Sequence, residues 1–103
     1  MKECEITKNG KRLIARITCE IDHHTAKIIR ESVDSTLADV FSVLELDFSG
    51  VSFMDSSGIG LIIGRAARAE DIGASLEVTG LSPRLRRLVC MSGVERLSNV
   101  YVK

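Results

Sequence analysis

Tryptophan is absent from this chain, and tyrosine and proline occur once each. So little flat aromatic surface excludes the stacking platforms that hold single-stranded nucleic acid. Charge of either sign is not in excess: Lys+Arg and Asp+Glu are both 14, a formal net charge of +0. A binder of nucleic acid or of an anionic membrane surface needs a basic surplus, so direct partners of either kind are not expected. Cysteine is scarce. Cys4, Cys19 and Cys90 are odd in number, widely spaced and without a CxxC pair, which argues against a disulfide framework or a zinc cluster and favours buried small hydrophobes. No apolar run approaches the ~20 residues that cross a bilayer. The opening Met1-Lys2-Glu3-Cys4-Glu5 is no secretory signal, and a cytoplasmic protein is expected.

Repeats, low-complexity stretches and Pro/Ser-rich linkers are lacking too. With 103 residues, the chain reads as a single domain over 1–103. Its 45% hydrophobic and 27% charged residues are an ordinary globular balance that can build a core. A domain of this size buries roughly 60–70% of its unfolded surface, so only modest stability is expected.

Asn9-Gly10 between two short alternating segments predicts a tight hairpin. Leu13, Ala15, Ile17 and Cys19 share one face of its second strand. After Glu20-Ile21-Asp22, Ala26, Ile29, Val33, Leu37 and Val40 recur at three- and four-residue steps, the period of a helix that Asp22 or Thr25 can cap. Val43 to Phe48 alternates as a strand. A second helix follows Asp55-Ser56-Ser57, with Ile59, Ile62, Ile63 and Ala66 as its expected buried stripe and Gly73 as its C-cap. Ser75 to Thr79 is a strand, Ser82-Pro83 starts a third helix with proline at its first position, and Asn99 to Val102 ends as a strand. A hairpin followed by alternating helices and strands is an α/β pattern: a mixed sheet of four to five strands, with about three helices as crossovers.

Chemistry concentrates at Asp55-Ser56-Ser57-Gly58-Ile59-Gly60. The plain reading is helix capping, an Asp or Ser oxygen accepting from the free amides of the first turn. Gly60 and Gly64 each weaken a helix by ~1 kcal/mol relative to Ala, and a close helix–neighbour approach is the expected reason for keeping them. A dinucleotide fingerprint is disfavoured because the third glycine falls one residue too late and polar residues stand where bare glycines are needed. A hydrolase nucleophile is disfavoured because Ser57 lacks a GxSxG elbow and the two histidines, His23 and His24, are adjacent without a third partner. A third alternative makes a serine the acceptor of a phosphate: a hydroxyl at a helix N-terminus is exposed, and the dipole and free amides tolerate added negative charge.

Glu20-Ile-Asp-His-His-Thr-Ala26, followed by Ser52-Phe-Met-Asp-Ser-Ser-Gly-Ile-Gly60, resembles the STAS-domain anti-sigma factor antagonists, most of all the sporulation-type antagonist of the anti-sigma-F factor. Ser82-Pro-Arg-Leu-Arg-Arg-Leu88 and Met91-Ser-Gly-Val94 are similar to that family's third helix and exit turn, so the resemblance spans nearly the whole chain. It differs at Cys19, where the family often has glycine, and at Lys103, where the family continues into a further helix. The resemblance implies a STAS-like domain that is no enzyme and needs no cofactor. Its serine directly after the motif aspartate, Ser56, would accept phosphate from an anti-sigma factor that is also the serine kinase. The unphosphorylated form would bind that kinase and free the sigma factor, and a serine phosphatase would reverse the mark. Asp55 would orient Ser56, and Gly58 and Gly60 would let the partner or the sheet come close. The general-stress branch of the family shares the Asp-Ser motif, and a small nucleotide-binding or hydrolytic enzyme using the 55–60 turn is the alternative from another class.

His23 and His24 could ligate a metal, but nothing clusters with them, and a loop near the partner surface is the expectation from the resemblance. Leu61, Arg65 and Arg68 fall opposite the expected stripe and form a candidate partner-contact patch. Arg84, Arg86 and Arg87 read as a solvated face.

Overall fold

Gly10 and Lys11 form the opening turn, between strand β1 (Cys4–Asn9) and strand β2 (Arg12–Ile17), in the computed structural model, which describes residues 3–103. Of the two loop residues only Gly10 has positive φ (63°), so the turn sits one residue later than Asn9-Gly10 implied and takes its left-handed residue from glycine alone. Met1 and Lys2, the head of the segment read above as lacking a signal, lie outside the described residues.

Three further strands and three helices follow: α1 (His23–Asp34), β3 (Val43–Asp47), α2 (Ser56–Asp71), β4 (Ser75–Thr79), α3 (Pro83–Ser92), a short 3-10 turn at Val94–Arg96, and β5 (Val100–Val102). The sheet order is β1-β2-β3-β4-β5, antiparallel between β1 and β2 and parallel elsewhere. Each helix is the crossover between neighbouring parallel strands, which such strands require. The register aligns Leu13, Leu44, Leu76 and Val100 in one row and Ala15, Leu46, Val78 and Val102 in the next. These rows, with Ile29 and Val33 of α1, Ile62, Ala66 and Ala69 of α2, and Leu85 and Val89 of α3, make the core. The opposite sheet face is polar: Arg12 Nη1 donates to Glu45 (3.0 Å) and Glu77 (2.8 Å), and Thr79 donates to Glu45 (2.8 Å).

The first helix stops earlier than its apolar spacing predicts. Ser35 and Thr36 donate their hydroxyls back to the carbonyls of Ser32 and Val33, both at 2.7 Å, taking over groups the next helical turn would have used. Leu37 still packs on the core from a turn, whereas Val40 is 73% exposed.

α2 is turned relative to expectation. Its buried residues are Gly58, Leu61, Ile62, Arg65, Ala66 and Ala69, a stripe displaced by one position, and Ile63 is 47% exposed. The helix covers the sheet below and also abuts α1, and the second neighbour buries Leu61 and Arg65. It ends as glycine predicts: Ala74 N–H reaches Ala69 O (2.8 Å) and Gly73 N–H reaches Glu70 O (3.0 Å), a Schellman pair around Gly73 at φ 76°. The cysteines divide. Cys4 is buried, and burial pushes its thiol up to about 11, but Cys19 is half-buried and Cys90 exposed, so the expectation of three buried thiols is met at one position.

Candidate functional site

Two helix starts are pinned side by side. Ile21 N–H donates to Phe53 O (2.9 Å) and Asp55 N–H to Ile21 O (3.1 Å), an isolated parallel bridge between the two segments that lead into α1 and α2. Ile21 and Met54 are buried there, so apolar burial holds the bridge while the polar residues beside it stay at the surface.

Each start is capped by an aspartate. Asp22 accepts from the amides of His24 and Thr25 (both 2.9 Å), and Asp22 N–H donates to the Thr25 hydroxyl (3.0 Å), a closed capping box. The Thr25 hydroxyl also donates to Glu20 O at 2.7 Å, tying the Glu20-Ile21-Asp22 turn to the helix. The Thr25 amide first, then its hydroxyl and the His24 amide, hold the Asp22 carboxyl below the usual range. At α2, Asp55 Oδ1 accepts from Ser57 N–H at 2.8 Å. The cap is therefore Asp55, and Ser57 receives it through its backbone; its side chain is not the capping group.

Ser56 is the first residue of α2 and is solvent-exposed, while Ser57 is half-buried. Its hydroxyl stands at the positive end of a 16-residue helix, free of any hydrogen bond among the described residues. Gly58 packs inward: a Cβ there would lie 2.6 Å from Met54 Sδ and 3.2 Å from Met54 Cβ. The space a phosphate-binding glycine would keep free is filled by methionine. Gly60 and Gly64 do the reverse of what was expected. A Cβ on either would meet nothing within 4 Å, so they leave open space instead of admitting a close neighbour.

That space is a groove of about 620 Å³ between α1 and α2, lined on one side by His23, Ala26, Lys27 and Arg30 and on the other by Ser57, Gly60, Leu61, Gly64 and Arg65. Both sets follow helical i, i+3, i+4, i+7 spacing, the facing stripes of two neighbouring helices. His23 and His24 are exposed residues of the first turn of α1, not of a loop; His23 lines the groove and His24 does not. The described residues contain no cluster of three or more His, Cys, Asp or Glu fit for a metal ion.

The expected patch of Leu61, Arg65 and Arg68 comes apart. Leu61 is 4% and Arg65 5% exposed, and only Arg68 faces solvent. Charge favours a surface position for Arg65, but Asp34 of α1 lies 3.0 Å from its Nε, so the cation has a counter-ion inside the helix pair. The two atoms are not aligned as a hydrogen bond. Burial pulls the Arg65 guanidinium below its ordinary range, Asp34 opposes that, and Arg30 and Arg68 add like-charge repulsion. The alternation of polar and apolar residues hid the groove; the only signal for it in the sequence was the glycine pair four residues apart.

No helix of the described residues is long and apolar enough to cross a membrane. The STAS domain family model matches residues 3–103. The chain is 33% identical over 90 residues to an anti-sigma F factor antagonist of Paenibacillus polymyxa, covering 86% of this chain and 77% of that protein. It is 30% identical over 99 residues to an anti-sigma-B factor antagonist of Bacillus subtilis, covering 96% and 90%. Its fold superposes on the anti-sigma factor antagonist SpoIIAA in its unphosphorylated form with a TM-score of 0.81 at 24% identity, over 97% of this chain and 87% of that one. A capped, exposed serine at the head of the second helix, on this sheet and with these relatives, identifies the chain as a STAS domain of the anti-sigma factor antagonist family.

Proposed function

We propose that the chain is a phosphorylation-switched antagonist with Ser56 as the switch. Unphosphorylated, it binds an anti-sigma factor that is also a serine kinase, and so frees a sigma factor in the cytoplasm. Phosphorylation of Ser56 ends that binding, and a serine phosphatase restores it. The single observation that carries this reading is the exposed hydroxyl of Ser56 directly after the capping Asp55, whose carboxylate accepts from the Ser57 amide and leaves the Ser56 hydroxyl without a partner among the described residues. The relatives' names supply the partner class, and the domain acts as substrate with ATP held by the kinase.

Phosphoserine adds roughly −1.5 to −2 charge at neutral pH. The positive end of α2 offsets part of its repulsion from Asp55, so the domain keeps its fold. A partner surface fitted to a neutral hydroxyl must instead desolvate a dianion, and a penalty of ~3 kcal/mol would weaken binding by over a hundredfold. The sporulation branch is favoured by Asp22-His-His-Thr-Ala26, which forms the capped start of α1 beside the switch. Incubation with each candidate kinase and ATP, read by mass spectrometry, tests the site. Phosphate is expected in the wild type and in Ser57→Ala and absent from Ser56→Ala; phosphate on Ser57 with Ser56 unmodified would refute the assignment.

A further inference from the structure

The groove between α1 and α2 has a chemistry that the switch does not use. Three of its nine lining residues are Lys or Arg, His23 adds a titratable nitrogen, and no carboxylate lines it, in a chain whose net charge is +0. Arg65 has Asp34 as counter-ion, but neither Lys27 nor Arg30 forms an ion pair among the described residues. Both are exposed at the groove's rim. Arg30 also acts as a like charge on the buried Arg65 guanidinium, whose nearer partner is Asp34. His23 to Arg30 spans about 10 Å at 1.5 Å per residue. That is the length of roughly three residues of extended chain. Gly60 and Gly64 leave open space on the opposite wall between Ser57, Leu61 and Arg65, so another backbone can lie against it there. No Phe, Tyr or Trp lines the groove, so it lacks the broad aromatic platforms on which nucleotide bases stack best.

We propose that this groove docks a short acidic segment of the anti-sigma factor, a second contact beside Ser56 that supplies attraction while the serine supplies the switch. The inference rests on the proposed function for its partner. Charge complementarity chooses the occupant: carboxylates would pair with Lys27 and Arg30 where the chain itself provides none. Contacts of this kind act mainly on the association rate and weaken with salt.

Two measurements decide it. In the first, 15N-labelled protein is titrated at low salt with hexaglutamate, hexalysine and inorganic phosphate. Amide shifts at Ala26, Gly60 and Gly64 are expected with hexaglutamate alone, and are lost in the double variant K27E/R30E. Equal shifts with phosphate, no shifts, or shifts spread over every basic surface would overturn the inference. In the second, K27E/R30E is expected to raise the Kd for the kinase at least about tenfold at low salt, mostly by slower association, with thermal unfolding unchanged because both residues are exposed. Wild-type affinity in that variant, with Ser56 phosphorylation still controlling binding, would sink the groove and leave the proposed function standing. A wild-type protein that binds no anti-sigma factor would refute the function instead, and the hexaglutamate titration would still judge the groove.

Discussion

Leu61 and Arg65 belong to the core, and that changes what their substitution does. Truncating Leu61 to Ala removes buried methyl groups and leaves a void, so urea unfolding should record a loss of about 2–5 kcal/mol. Arg65→Glu removes the counter-ion of Asp34 and sets a second carboxylate against it, relieved only in part by Arg30 and Arg68, and the cost should be about 3–5 kcal/mol, a large share of the stability of a domain this size. Neither substitution can be read as an interface probe unless folding is measured alongside binding. Arg68 is exposed, and its charge reversal should stay within about 0.5 kcal/mol. A folded Arg65→Glu protein of wild-type stability would contradict the buried pairing.

The helix elements carry two further tests. Gly60 and Gly64 sit inside α2 with open space where a Cβ would go, so Gly→Ala at either should stabilise the helix by about 0.5–1 kcal/mol. The same methyl groups would intrude on the groove, so the stabilised variants should bind the kinase less tightly. Stability and affinity rising together would show the groove to be empty of partner. The capped start of α1 gives a pH dependence. Asp22 is held below the usual carboxylate range by the amides and hydroxyl it accepts from, and Glu77 is held low mainly by its hydrogen bond from Arg12. A depressed folded-state value favours folding at pH above the ordinary carboxylate pKa of about 4, and that contribution is lost as the pH falls through the folded-state value. Urea midpoints should therefore hold steady from neutrality to about pH 5 and drop below it. In Asp22→Asn the drop should be shallower; an unchanged profile would exclude the cap as a contributor.

For the whole molecule, Ser56 lies at the rim of a domain whose apolar rows run from Leu13 through Leu44 and Leu76 to Val100, and none of that core depends on the serine. Phosphorylation should therefore leave the amide-exchange protection of the sheet and of α2 beyond its first turn unchanged while binding falls more than a hundredfold, and Ser56→Asp should reproduce part of the loss. A phosphorylated protein in which α2 repacks, read as lost protection at Leu61, Ile62 and Ala66, would replace the local block with a conformational switch.

Local signals in the sequence determined the element order, the strands at Val43–Asp47 and Ser75–Thr79, the start of the third helix at Ser82 and the glycine stop at Gly73, and narrowed the other two caps to Asp22 or Thr25 and to Asp55 or a serine beside it. Capping, turns and two-residue alternation act over a few neighbours, so a few neighbours suffice to read them. Only the tertiary structure decided which side of α2 is buried, because that helix answers to both the sheet and α1, and a buried arginine looks like a surface one until Asp34 arrives from 31 positions away. The groove was decided at the same level. Glycine leaves a gap or admits a neighbour with equal ease, and the Ile21–Met54 bridge, by fixing how far apart the two helix starts stand, made it a gap.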